Sequence, residues 1–134
     1  MSESKAFMNL DSIPCAYEYV YPKHGGPIPK SELNKNDVLC GRGGCVNSYS
    51  GNVQFRSLVG QQEVRDTYNQ AKKKNKVKVA MRVVYKIRSM NPPGRFLEED
   101  KNNKMYWIEI GDKKALEKVK QSMREIRRNT LKFI

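Results

Sequence analysis

The residues of this chain that could do chemistry are mainly cations. Between Asp66 and Glu98 the sequence has nine lysines and arginines and no acidic residue. They are Lys72, Lys73, Lys74, Lys76, Lys78, Arg82, Lys86, Arg88 and Arg95. Lysine binds phosphates as a compact point charge, and arginine binds them through a planar fork of donors. This acid-free window therefore predicts a surface for a polyanion.

The positive charge is concentrated in two parts of the chain. The formal net charge is +12 at pH 7 over 134 residues. Residues 1–66 are neutral, residues 67–97 carry +9, residues 98–110 carry −2 and residues 111–134 carry +5. A protein with this charge repels itself and attracts nucleic acid, an anionic membrane surface or an acidic protein. Charge alone leaves these partner classes open.

The glycine loop at residues 41–44 is a second candidate for anion binding. Its backbone N–H groups could converge on a phosphate while Arg42 supplies a bidentate partner. The alternative is a tight turn that requires positive φ. The loop lacks the Gly-Lys-Ser/Thr of a P-loop and the Gly-x-Gly-x-x-Gly of a dinucleotide site, so ATPase or dinucleotide chemistry is poorly supported.

The three cysteines and the single histidine of the sequence give little indication of a metal site or a catalytic site. Cys15, His24, Cys40 and Cys45 are potential zinc ligands, but their intervals do not match those of paired Cys-x2–4-Cys motifs. The single histidine offers no nucleophile and base constellation. We therefore expect a non-enzymatic protein without a cofactor or metal.

The location and domain organisation follow from composition. No apolar run approaches the ~20 residues that a membrane helix requires, and the first residues lack the apolar core of a secretory signal. An odd number of cysteines fits a reducing compartment. We expect an intracellular protein, in the nucleus or wherever DNA lies in the cell or virion. Residues 1–34 are predicted to be a partly flexible arm, 35–130 a basic α+β domain and 131–134 a tail.

The domain is predicted to follow the order loop, helix, helix, β-hairpin, helix. A short strand ends at Cys40, and the apolar residues from Phe55 to Ala71 indicate a helix that bends or breaks at Gly60. Two helices joined by a short turn and followed by a hairpin are similar to the winged-helix plan, in which the second helix enters the major groove of DNA. A generic α+β fold is the alternative.

The second helix is predicted over residues 77–90, after a lysine-rich connection at 72–76, and it ends before two prolines. Five apolar residues recur at helical spacing and are expected on its buried face. They are Val77, Ala80, Met81, Val84 and Ile87. Lys78, Arg82 and Lys86 lie four residues apart on another face. No acidic residue neutralises them, which favours a binding surface over a merely solvated one.

The hairpin and the last helix supply the remaining candidates. Arg95 begins the predicted hairpin, where it could contact a phosphate. Trp107 is interpreted as core packing against the last helix, with stacking on a base as the alternative. The last helix starts at Asp112, which can cap it, and carries cations on one side. These are Lys113, Lys120, Arg124 and Arg127.

Four separated motifs resemble a known family. They are Asn-Asp-Val-Leu-Cys-Gly-Arg-Gly-Gly at 36–44, Gly-Asn-Val-Gln-Phe-Arg at 51–56, Pro-Gly-Arg-Phe-Leu at 93–97 and Trp-Ile-Glu-Ile-Gly-Asp at 107–112. In this order they resemble a domain-of-unknown-function family that is abundant in diatom proteins. The resemblance covers about residues 36–128 and implies an autonomous domain that begins near residue 36. It implies no activity.

Nucleic-acid binding, to double-stranded DNA in preference to RNA, is the leading interpretation. The predicted contact residues are Lys72, Lys73, Lys74, Lys76, Lys78, Arg82, Lys86, Arg42, Arg95, Lys120, Arg124 and Arg127. The alternative is a protein-interaction module whose basic surface and glycine-arginine loop bind an acidic or phosphorylated partner. RNA stays open, although the sequence has no RNP motif.

Overall fold

The strands of the protein form one mixed sheet in a computed structural model that describes residues 27–41 and 44–131. β1 is Ile28–Pro29, β2 is Val38–Cys40, β3 is Phe96–Glu99 and β4 is Tyr106–Glu109. Their order across the sheet is β1-β4-β3-β2. The expectations for residues 1–26, for Arg42 and for residues 132–134 lie outside this part of the chain.

The pairing of the strands places the predicted hairpin at the centre of the sheet. β4 is antiparallel to both β1 and β3, whereas β2 is parallel to β3. A parallel pair needs a long crossover connection, and here the helices between β2 and β3 supply it. The α+β prediction is confirmed. The similarity to a winged helix is limited to the order of the elements. The two hairpin strands, β3 and β4, lie inside the sheet between β2 and β1 and do not project from it as a wing.

Helices account for most of the remaining described chain. A 3-10 turn covers Lys30–Glu32. The α-helices are α1 at Gly44–Asn47, α2 at Ser50–Val59, α3 at Gln62–Gln70, α4 at Lys73–Arg88 and α5 at Gly111–Leu131. The predicted break at Gly60 is confirmed, since that residue caps the end of α2.

The folded unit includes residues before the predicted domain start at residue 35. Ile28 pairs with Trp107 and Pro29 pairs with Tyr106 in the sheet. Ile28 is also buried in an apolar cluster with Leu39 and Trp107. The end of the predicted arm is therefore part of the sheet.

The sheet separates two apolar clusters. Val38 and Phe96 lie in the main core with α2, α3, α4 and α5. Their neighbours Leu39 and Leu97 lie in the second cluster with Trp107, because successive side chains of a strand point to opposite faces. Trp107 is buried, as predicted. Its packing partners differ from those expected, because it lies in the cluster on the opposite face from the last helix.

The helix α4 corrects two predictions. It starts at Lys73, so most of the predicted lysine-rich connection is its first turn. Its fully buried residues are Val79, Ala80, Val83, Val84 and Ile87. Val77, expected inside, is 36% exposed. The buried face is thus turned toward Val79 and Val83, because α4 packs between α3 and α5 and both neighbours cover it.

Candidate polyanion-binding surface

The turn between α3 and α4 is held by Lys76. Its Nζ donates to the carbonyl oxygens of Tyr68 at 2.9 Å, Asn69 at 3.3 Å and Ala71 at 2.8 Å. It also lies 5.2 Å from the centroid of the Tyr68 ring. The last carbonyls of a helix lack intrahelical partners and favour a cation. Lys76, predicted as a contact residue, therefore directs its ammonium group toward the protein.

The start of α4 concentrates positive charge. Lys72 is the N-cap residue, and it makes no side-chain capping hydrogen bond. Lys72, Lys73 and Lys74 are exposed, and the first turn has no acidic residue. A helix N-terminus carries a partial positive charge that favours anions and disfavours cations. An anion placed beside these lysines would relieve their unfavourable interaction with the helix end.

The outer face of α4 continues this charge along the helix. Lys74, Lys78 and Lys86 are exposed, whereas Arg82 is half-buried. Burial lowers the pKa of the Arg82 guanidinium, and Tyr85 acts in the opposite direction. Arg82 also takes part in an interaction within the protein. From Lys74 to Lys86 the helix rises about 18 Å at ~1.5 Å per residue, so the exposed lysines form a row.

The helices α4 and α5 run antiparallel. The guanidinium of Arg88, at the end of α4, pairs with the buried carboxylate of Asp112 at the start of α5. At the other end, burial raises the pKa of the Tyr68 phenol, and Arg124 acts against that shift. This influence places Arg124 near Tyr68, and so near the start of α4. The later part of α5, which carries Arg124, therefore lies beside the earlier part of α4.

The remaining predicted cations of α5 differ in their surroundings. Lys120 Nζ lies 3.8 Å from Glu117 Oε1, a distance that gives a weak pair. Arg127 is exposed. Seven of the predicted contact cations on or beside α4 and α5 have neither an ion pair nor a side-chain hydrogen bond within residues 27–41 and 44–131: Lys72, Lys73, Lys74, Lys78, Lys86, Arg124 and Arg127. We call these seven residues the cationic surface.

Arg95 is engaged inside the fold. Its Nε lies 3.0 Å from Asp37 Oδ1 and its Nη2 lies 2.8 Å from Asp37 Oδ2. The same Nη2 donates to the carbonyl oxygen of Glu32 at 3.1 Å. These contacts occupy the Nε–Nη2 edge of the guanidinium, one of the two edges that could bind a phosphate through paired hydrogen bonds, and the second donor of Nη2. Its predicted phosphate contact stays a prediction, and we leave Arg95 out of the cationic surface.

The motifs that suggested a family meet in one buried network. Asn36 Nδ2 donates to the carbonyl oxygen of Pro92 at 2.7 Å. Asn52 is buried, and its side chain bonds both the N–H and the C=O of Leu39, at 2.8 and 2.7 Å. With the Asp37 and Arg95 pair, residues from three separated motifs are joined. Sequence reasoning missed this architectural role, although the shared motifs were its signal.

Glycine is required where two of these motifs approach each other. A Cβ on Gly51 would lie 1.8 Å from the backbone oxygen of Asp37. A Cβ on Gly94 would lie 2.6 Å from the backbone oxygen of Asn36. Such contacts are impossible for a side chain. The glycines thus let helix α2 and the turn after α4 pack directly on the segment that precedes β2.

The described part of the glycine loop and the described cysteine do not form a metal site. Gly41 has a φ of 148°, as expected for a turn that requires positive φ, and Arg42 lies outside the described residues. Burial raises the pKa of the Cys40 thiol to about 11, so this thiol is protonated at neutral pH. Among the described residues, no group of three histidine, cysteine or acidic side chains could hold a metal. Cys15, His24 and the side chain of Cys45 lie outside the described part of the structure.

The fold and the surface define a small α+β domain that presents cations on its helical side. The chain belongs to a family described as a domain of unknown function (DUF6824), whose model matches residues 37–125. The resemblance suggested by the motifs is confirmed at this level. No curated protein and no solved structure matches the chain significantly. Within the described residues, no helix is both long enough and apolar enough to span a bilayer.

Proposed function

We propose that this protein is a non-enzymatic nucleic-acid-binding domain that contacts double-stranded DNA through the cationic surface. The observation that carries the proposal is the set of seven cations without ion pairs on two packed helices. Their helices are fixed by the core, so the charge has a defined position. Uncompensated charge on an ordered surface is the electrostatic feature that nucleic-acid-binding proteins share.

The packing of α4 argues for a polyanion in water over a membrane surface. A helix that binds a bilayer surface inserts an apolar face between the lipid head groups. In α4, Val79, Val83 and Ile87 are fully buried in the protein core. That face is therefore committed to the fold, and the exposed side offers mainly lysine.

An acidic or phosphorylated protein is the alternative partner, and the three lysines at the start of α4 are what favour it. A single phosphate could lie there, at the positive end of the helix. Such a partner would use this end alone. Duplex DNA would also engage Lys78 and Lys86, which lie farther along the helix. With DNA as partner, we expect the protein in the nucleus or wherever DNA lies in the cell or virion.

Charge reversal on matched surfaces tests the proposal. We expect the full chain to bind a fluorescent duplex in an anisotropy titration at low salt. Replacing Lys74, Lys78 and Lys86 by glutamate should weaken binding by about tenfold or more, because phosphate contacts supply the affinity. The control variant replaces Lys35, Lys101 and Lys104, which are exposed elsewhere, and has the same net charge.

The outcomes separate the two partners. Selective weakening by the first variant supports the proposal. Equal weakening by both variants would mean that overall charge and not this surface drives binding, which would contradict it. Absence of duplex binding by the unmodified protein would overturn it. Capture of a partner that survives nuclease and fails after phosphatase treatment would then support the alternative.

A further inference from the structure

We infer that the cationic surface grips the phosphates of a duplex through its five lysines on and beside α4, and that this helix does not read the base sequence. This inference rests on the proposed function and adds the class of nucleic acid that is bound. It follows from which side chains of α4 remain free to face a ligand.

The base-reading side chains of α4 are few, and the arginines are engaged. Arginine reads guanine and asparagine or glutamine reads adenine through paired hydrogen bonds. Within α4 the only such residues are Asn75, Arg82 and Arg88. Arg88 pairs with Asp112. Arg82 is half-buried and has an internal interaction, and Asn75 is half-buried beside the turn.

The exposed positions of α4 carry lysine instead. Lys73, Lys74, Lys78 and Lys86 are exposed on this helix, and Lys72 precedes it. The ammonium group is a point charge on a flexible stem, so it binds a phosphate from many directions. An α-helix with its side chains is about 10–12 Å wide, close to the width of the major groove. Lysines along α4 can therefore reach the phosphates that border the groove.

The surface favours a duplex over a single strand. Binding of single strands relies on exposed aromatic side chains on which bases stack. Tyr85 is the one aromatic residue of α4, and it is half-buried. Tyr68 and Trp107 are buried. The described helical side therefore lacks an exposed stacking platform, and phosphate density becomes the feature that is recognised.

The salt dependence should report the number of phosphates contacted. Each neutralised phosphate of a duplex contributes about −0.9 to the slope of log K against log salt. The five lysines of the surface would give a slope of about −4.5, and Arg124 and Arg127 would extend it to about −6. A slope in this range is expected from the unpaired cations alone.

The experiment compares sequences at several salt concentrations. The experiment would titrate the full chain with duplexes of equal length that are A·T-rich, G·C-rich or mixed, and with a single strand of the same length for comparison. The dissociation constants for the duplexes should agree within about threefold, and the single strand should bind more weakly. Lys78→Gln should weaken binding to all duplexes by the same factor and reduce the slope by about 0.9. Lys104→Gln, on the hairpin turn, is the control and should change neither.

Different outcomes of this experiment would contradict different parts of the inference. A duplex that binds about 30-fold more tightly than the others, or a motif enriched from a random pool, would overturn the inference while leaving the proposed function intact. Equal or tighter binding of the single strand would overturn the preference for a duplex. Absence of binding to every nucleic acid would instead contradict the proposed function itself.

Discussion

The guanidinium of Arg95 holds the carboxylate of Asp37, whose side chain has no solvent exposure, through two hydrogen bonds of 3.0 and 2.8 Å. The backbone N–H of Arg95 donates to the same carboxylate at 3.1 Å, and Asp37 Oδ2 also accepts from the N–H of Asn34 at 2.8 Å. One buried acid thus fixes the segment before β2 to the start of β3. The pair joins two strands that are parallel neighbours in the sheet.

Removing Arg95 should destabilise the fold. Arg95→Met leaves the buried Asp37 carboxylate without its counter-ion, and breaking such a pair costs about 3–5 kcal/mol. Urea unfolding followed by the fluorescence of the single tryptophan measures the loss. The control is Lys114→Met, which breaks the exposed pair with Glu98 at 3.3 Å and should cost less than about 1 kcal/mol. Similar small losses in both variants would contradict the role of Arg95.

Asn52 should be needed at the edge of the sheet. Its side chain takes the place of a neighbouring strand for β2, because it satisfies both backbone groups of Leu39. Asn52→Ala would leave a buried N–H and a buried C=O unpaired, at about 1–3 kcal/mol each. We expect the free energy of unfolding to fall by about 3 kcal/mol. The control is Gln54→Ala. The Gln54 side chain is exposed and donates one hydrogen bond to Asn36, so its loss should cost less than about 1 kcal/mol.

Lys76 should contribute to stability, unlike its neighbour Lys74. Lys76→Met removes a cation that bonds three carbonyl oxygens at the end of α3, and we expect a loss of about 2 kcal/mol. Lys74→Met makes the same chemical change at an exposed position and should alter stability by less than about 0.5 kcal/mol. Thermal unfolding followed by circular dichroism compares the two. Equal effects would mean that Lys76 does not anchor the turn.

The thiol of Cys40 should react slowly and should make stability depend on alkaline pH. Burial raises its pKa to about 11, so the folded state holds the proton more tightly than the unfolded chain. This contribution to stability is complete below the ordinary thiol pKa, and it is lost as pH rises through about 11. In a Cys15→Ser/Cys45→Ser background, alkylation at pH 8 should be about tenfold or more slower in the folded protein than in urea. Equal rates would contradict the raised pKa.

The sequence predicted the elements better than their orientation. The break at Gly60, the end of α4 before two prolines and the central hairpin all follow from local backbone chemistry. The buried face of α4 does not, because valines at 77, 79, 83 and 84 are compatible with more than one apolar stripe. Packing against both α3 and α5 selected Val79 and Val83. Neighbours distant in sequence made that choice.

For the candidate site as well, the sequence predicted the residue types but not their contacts. Sequence identified the cations, since net charge and the absence of acids are readable without a fold. It could not show that Lys76 caps α3 or that Arg95 pairs with Asp37, because their partners are carbonyls and a carboxylate brought near by the turn and the sheet. It also could not show that Arg124 lies near Tyr68. That last relation depends on the antiparallel packing of α4 and α5.

By itself, the amino-acid sequence determined that this protein is a basic α+β domain whose excess charge lies on helices. The reason is that periodicity, proline and glycine positions and charge are local properties of the chain. Only the tertiary structure decided which of the predicted cations stay unengaged, because folding brings Arg88 and Arg95 to buried carboxylates and Lys76 to the carbonyl oxygens at the end of α3. What remains outside is the cationic surface, and its chemistry is chiefly that of lysine.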